Sequence, residues 1–188
     1  MKKAIVLKAA LLVILSICNY ACIDRVTIPE TDTTPPSFSF KIEGDGFSRT
    51  FTQDDDFSRM QLNLRANKVY SFVFTGDDAG GMALLQWQLG ENETIEFDDD
   101  FPGGEWTIRD ISSTNRMIEW QGDGVNPIRG MILTGDFVAR NSGPNTTVST
   151  SFRFFVRDFG GRSGTANQVS GELYITIGDF TTELKVIP

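Results

Sequence analysis

The chain has 188 residues, with 17 Lys plus Arg against 25 Asp plus Glu, a net charge of −8 and no histidine. That acidic balance argues against binding nucleic acid or anionic lipid headgroups, because phosphate recognition needs a basic surface. The missing imidazole excludes a Ser-His-Asp triad and histidine-ligated zinc, while the length is enough to bury a core without covalent staples.

The first element in chain order is MKKAIVLKAALLVILSICNYAC. Lys2, Lys3 and Lys8 lead into an apolar run from Ala9 to Ile17, and small or polar residues close it, which is the layout of a helical secretory signal. The run falls short of the roughly 20 apolar residues that a membrane-spanning helix needs. Its end resembles the lipobox of bacterial lipoproteins, where a small residue precedes a cysteine that is diacylated and becomes the mature N-terminus. Ala21 supplies the small residue before Cys22, although Asn19 and Tyr20 depart from the pattern. Leu15 and Ser16 match it upstream of Cys18, but β-branched Ile17 would crowd that scissile bond. Cys22 is therefore the favoured lipidation site, Cys18 the alternative, and a plain signal peptide cut after Ala21 a third reading. The resemblance implies a lipoprotein signal peptide over residues 1–21 and a palmitate-type acyl anchor in a lipid bilayer. It places the protein in a bacterial cell envelope, with the outer membrane as the expected site. Cys18 and Cys22 are the only cysteines, so an acylated Cys22 leaves no pair for a disulfide.

Residues 22–36 carry the lipidated N-terminus and then IDRVTIPETDTTPP, a stretch without periodicity that includes Pro29, Pro35 and Pro36. It reads as an extended linker, a tether that at about 3 Å per residue could hold the following domain on the order of 40 Å from the membrane. Within it, Asp32-Thr33-Thr34 resembles the short acceptor used for O-glycosylation of exported proteins in some Gram-negative bacteria.

After Pro36 the apolar period becomes two. Phe38, Phe40 and Ile42 share one parity, as do Tyr70, Phe72 and Phe74; Leu85, Trp87 and Leu89; Phe152, Phe154 and Val156; and Leu173, Ile175 and Ile177. Such alternation predicts strands buried on one face. RGMILTGDFVAR adds an apolar middle, and Gly, Asp and Asn clusters at 76–81, 98–104 and 160–164 supply turns. The reading is all-β, one sandwich domain over 37–188 with bulky inner faces and polar outer ones.

DTTPPSFSFKI, YSFVFTGDDAGG followed by MALLQWQL, and SFRFFVRDFGG followed by SGELYITI together resemble the immunoglobulin-like domains of bacterial secreted and surface proteins. The resemblance covers about half of the mature chain, at its two ends. It implies an immunoglobulin-like antiparallel β-sandwich in which Trp87 is buried on the third strand. Residues 90–148 are longer than that pattern allows. Either extra strands enlarge the sandwich or an inserted subregion sits at one end.

Candidate chemistry is sparse. The nucleophile-elbow pattern Gly-x-Ser-x-Gly is absent from the sequence, which leaves paired carboxylates of glycoside-hydrolase type as the catalytic alternative. Acids clustered in loops, above all Asp77, Asp78 and Asp158 near strand ends, could converge on a calcium ion. Trp106 and Trp120 could stack on a glycan if exposed and coplanar. The functional expectation is a non-catalytic binding or assembly module anchored to a membrane. Glycan capture in a polysaccharide-uptake system and a structural or adhesion role with an envelope protein partner are the alternatives.

Overall fold

The computed structural model describes residues 26–187. Both cysteines and the signal segment therefore lie outside the described residues. Twelve strands form two sheets: β1 (Ser37–Gly44), β2 (Phe47–Thr52), β3 (Met60–Arg65), β4 (Val69–Asp77), β5 (Met82–Leu89), β6 (Ile95–Phe97), β7 (Thr107–Asp110), β8 (Arg116–Gln121), β9 (Gly130–Ala139), β10 (Val148–Asp158), β11 (Gln168–Gly178) and β12 (Glu183–Val186). One sheet has the order β2-β1-β4-β9-β6, the other β12-β3-β11-β10-β5-β8-β7. Every pairing is antiparallel except β3 with β11, where Leu62 lies beside Ile175 in a parallel register.

The expected alternation does what its period requires. Along β4 the pattern puts Tyr70, Phe72 and Phe74 in the interior while Val69, Ser71 and Val73 face solvent. Phe40 and Phe72 of the five-stranded sheet meet Trp87 of the other sheet with ring centroids 5.2 and 4.8 Å apart, and Phe40 lies 4.7 Å from Phe154. Trp87 also stands edge-on to Phe152 at 5.0 Å. These rings form the central layer of a core that holds the two sheets together. The Trp87 indole N–H is buried without a hydrogen-bond partner among the described residues, so the ring is held by its packing alone.

The long middle region resolves into extra strands on both sheets. β6 pairs with β9 at the edge of the five-stranded sheet, and β8 pairs with β5 with β7 outside it, extending the seven-stranded sheet. Consecutive residues Met117 to Trp120 are all buried in β8. Glu119, on the outward side, is covered by Gln86, Gln121 and Arg109, which hydrogen bond or ion pair with its carboxylate.

The linker differs from the expected tether. Residues 26–36 form no strand, but most of the segment lies along one pole of the sandwich. The Val26 N–H donates to the Pro127 carbonyl at 3.0 Å, Arg162 N–H to Pro29 at 2.9 Å, Ser163 N–H to Glu30 at 3.0 Å and Asp32 N–H to Gly160 at 3.2 Å. The reason is local. Gly161, at φ +83°, lies so close to the segment that an added Cβ would stand 2.6 Å from Thr31 Cα. Gly80 leaves the same kind of room for the Asp32 carboxylate. Turn glycines thus double as the seat of the N-terminal segment.

The orphaned indole yields a prediction. Trp87→Ala should lower unfolding free energy by about 3–5 kcal/mol through the cavity it leaves. Trp87→Phe should cost much less, because it removes the unpaired N–H along with the volume. Urea denaturation of both variants checks this, and equal losses would show that the N–H is not a burden.

Candidate functional site

Two strands of this sandwich end in the same local sequence. β4 runs into Asp78-Ala79-Gly80-Gly81 and β10 into Asp158-Phe159-Gly160-Gly161. Each Asp closes its own turn. The Gly80 N–H donates to Asp78 Oδ1 at 2.8 Å, and Asn167 clasps Asp158 by donating its backbone N–H to Oδ1 at 2.7 Å and its side-chain amide to Oδ2 at 2.8 Å. The docked N-terminal segment brings a third acid. Asp32 accepts the Thr34 N–H at 2.9 Å on one oxygen, and Asn167 Nδ2 also donates to the Asp32 carbonyl at 3.0 Å. Oxygens of Asp32, Asp78 and Asp158 all lie within 4.8 Å of one another.

Of the three acids predicted to converge, the structure unites two. Asp77 points the other way, because neighbouring residues at a strand end face opposite sides. It accepts Arg129 Nε at 3.0 Å as an exposed ion pair instead. Asp32 takes its place. The repeated Asp-x-Gly-Gly was a usable signal for the two loops, but nothing in the spacing of residue 32 marks it as their partner.

Asp78 is 4% exposed and Asp158 1%. Two unit charges at this separation repel by about 3.5 kcal/mol at an effective dielectric near 20, so the cluster favours either a proton or a cation. Burial raises the Asp78 carboxyl to about 6; the Gly80 N–H opposes the rise, and the charges of Asp158 and Asp32 add to it. Three carboxylates are a donor set for a hard cation such as calcium, and Asp32, Asp78 and Asp158 are the residues that could hold one. Asp78 and Asp158 are closed from solvent, while Asp32 is half-buried.

The tryptophans are placed differently from a sugar-stacking pair. Trp120 is 3% exposed, belongs to the core and donates its indole N–H to Glu105 Oε2 at 3.3 Å. Trp106 is half-buried and packs against the same core. Expected as a coplanar exposed pair in the glycan reading, they offer no such platform, because β8 turns the Trp120 ring inward while Glu105 covers its edge. Beside them lies a groove of about 960 Å3, lined by Trp120, Ile128, Met131 and Ile132, with Asp77, Glu105 and Asp123 also on its wall.

No protein-family model matches the chain, and no curated protein matches it in sequence. Solved structures with partial likeness include the full-length major pilin SpaD of Corynebacterium diphtheriae, at TM-score 0.42 and 11% identity, over 74% of this chain and 35% of that one. The pilus backbone RrgB of Streptococcus pneumoniae is similar at TM-score 0.38 and 11% identity, over 82% of this chain and 51% of that one. A cohesin module from a Clostridium perfringens family 33 glycoside hydrolase is similar at TM-score 0.35 and 9% identity, over 63% and 96%. These scores are too low to carry an argument about kinship or function; the sandwich architecture rests on the strand pairings themselves.

Asp78 makes stability depend on pH with a definite sign. The folded protein keeps the Asp78 proton up to about pH 6, whereas the same carboxyl in the unfolded chain loses it near 3.8. Folding therefore takes up a proton in that interval, and stability falls as pH rises from about 4 to about 6. In chelator, Asp78→Asn should flatten this fall and raise stability at pH 7.5 by up to about 3 kcal/mol, with little gain at pH 4. Chemical denaturation across pH measures it, and an unchanged pH slope in the variant would reject the assignment. Melts at pH 7.5 in calcium against chelator identify the occupant: a calcium-dependent rise in Tm that Asp158→Asn removes marks a cation, and an unchanged Tm marks the proton.

Proposed function

We propose that this chain is an envelope lipoprotein, anchored through acylated Cys22, whose sandwich serves as a non-catalytic binding or assembly module for a protein partner. The observation that supports the module reading most is the outer face of the five-stranded sheet. Val69, Val73 and Ile132 are 58%, 37% and 59% exposed there, and Ile132 sits opposite Thr75 in the antiparallel β4–β9 register. Ser71, Thr75 and Thr134 fill neighbouring outward positions with uncharged hydroxyls; Asp136 lies opposite Ser71, and β1 sets Lys41 beside Val73 and Glu43 beside Ser71, the two ion-paired at 2.8 Å. Ile132 and Thr75 also line the groove, so the aliphatic surface continues into it.

Val73 and Ile132, framed by the Lys41–Glu43 pair and Asp136, gain by covering against a protein surface that offers both apolar and polar groups. A sugar platform of the expected kind calls instead for an array of exposed aromatic rings; Trp120 is withdrawn from that role, and Tyr174, on the other sheet, is exposed without a neighbouring exposed ring among the described residues. The assembly or adhesion reading is therefore favoured over glycan capture. The anchor is supported by the lipobox resemblance at Cys22.

Two experiments test the two halves. Cys22→Ala should abolish fatty-acid labelling and membrane partitioning; loss with Cys18→Ser instead would move the anchor, and loss with neither would reject it. For the module, a photo-crosslinker at Val73 or Ile132 should give a discrete protein adduct on cells, whereas one at exposed Tyr174 on the opposite sheet should not. Val73→Lys with Ile132→Lys should remove that adduct while stability changes by less than about 0.5 kcal/mol per site. Adducts of equal yield from both faces would overturn the assignment.

A further inference from the structure

We infer that the pole of the sandwich formed by the β4–β5, β8–β9 and β10–β11 loops lies against the bilayer, with Val125 at the lipid interface. The inference rests on the proposed anchor at Cys22. It begins with the length of chain left over once the linker is docked. Val26 is pinned to Pro127, and the residues that follow are tied to Gly160, Arg162 and Ser163. Only four residue steps separate Cys22 from Val26. At most about 3.6 Å each, they span no more than about 14 Å. A tether of the full linker length would have let the domain tumble freely above the membrane; the docked segment removes most of that freedom.

The strand directions identify which end is held. β4 ends at Asp77 on this pole, β9 begins there opposite it, and β10 ends there at Asp158. An eleven-residue strand such as β10 is roughly 35 Å long, more than twice the free span. The far pole, with the β1–β2 turn and the loop before β10, therefore cannot exchange places with this one unless the docked segment is released.

The surface at the pinned point suits a lipid interface. Val125, 86% exposed, is the most exposed large hydrophobic side chain among the described residues and lies two positions from the Pro127 carbonyl that holds Val26. Its loop is preformed: Asp123 accepts the Val125 N–H and the Asn126 side-chain amide, each at 2.8 Å. Those hydrogen bonds also hold the Asp123 carboxyl below its ordinary value, so the loop carries a negative charge beside the apolar tip. The lipid surface it fits is zwitterionic, since an anionic one would repel Asp123 and Glu30, while Asp77 is already paired with Arg129. The groove, walled by Asp77, Asp123 and Asn126, lies toward the same pole.

The proposed mature chain has no other thiol once Cys22 is acylated, so single labels are unambiguous. Full-length lipidated protein carrying Val125→Cys or, at the far pole, Ser142→Cys is labelled with an environment-sensitive fluorophore and reconstituted into phosphatidylcholine vesicles containing a headgroup-level nitroxide lipid. The Val125 label should shift to the blue and be quenched severalfold more than the Ser142 label. Equal, weak quenching of both labels on protein that still floats with the vesicles would overturn the orientation and leave the anchor standing. Protein that does not float, with Cys22 unacylated by mass, would overturn the anchor itself.

Discussion

The contact between Trp87 and the phenylalanines of the opposite sheet is the one on which the rest of this structure depends. With no disulfide among the described residues, the sheets stay together because aromatic rings bury against one another: Phe40 and Phe72 from one side, Trp87, Phe152 and Phe154 from the other. Each ring buries on the order of 150–250 Å2, which at about 25 cal/mol per Å2 is a gross gain of roughly 4–6 kcal/mol per ring before entropy is subtracted. The same contact fixes register. A slip of one residue in β1 or β4 would turn Phe40 or Phe72 out to water and bring Lys41 or Val73 into the core.

Around that layer, polar groups close the two poles in different ways. At the far pole the buried Tyr70 hydroxyl meets Thr182 Oγ1 at 2.5 Å and accepts the Arg65 N–H at 2.9 Å, joining β4 to the turns around β3 and β12. Burial raises the Tyr70 phenol, so it stays neutral and keeps its proton for the network. At the near pole the joint is ionic in origin: Asp78 and Asp158 end two strands, Asp32 arrives on the docked segment, and the repulsion among them makes this the part of the fold most sensitive to protons and cations. The far-pole network ends on the Asp45 carboxylate, which Arg65 pairs, so its charge is balanced within the fold; the near pole gathers carboxylates that need a companion.

This division separates the surfaces that can act. The near pole is occupied by the N-terminal segment and its seat of glycines, so in the proposed function it belongs to attachment. The outer face of the seven-stranded sheet is largely covered by its own polar ladder, in which Gln88 donates to Gln86, Gln86 to Glu119 and Gln61 to Asn63 and Thr176. Those side chains already have partners. The outer face of the five-stranded sheet has paired polar groups on β1, where Ser39 bonds Thr75 and Lys41 pairs with Glu43, but leaves Val69, Val73 and Ile132 exposed, and those aliphatic side chains make it the binding face in the proposed function.

Much of the fold was legible in the chain. Five strands announced themselves because each alternates over several residues with one face buried, a sixth by its apolar middle, and Trp87 could be placed inside from the parity of Leu85 and Leu89. The strands that did not announce themselves are short or covered on both sides. β8 buries four residues in a row, and β6 has only three residues; a period of two cannot be read from either. The candidate site was half legible. Asp78 and Asp158 stand at ends of strong strands, whereas Asp32 lies in a segment whose composition marks a free linker and whose docking depends on glycines more than forty residues away. Sequence alone therefore determined the secondary structure of the long strands, the acidic surface and the class of fold, since those follow from local periodicity and composition. Which carboxylates meet, which way Trp120 faces and where the linker lies were decided only by the tertiary structure, because each rests on contacts between residues whose spacing along the chain leaves no periodic trace.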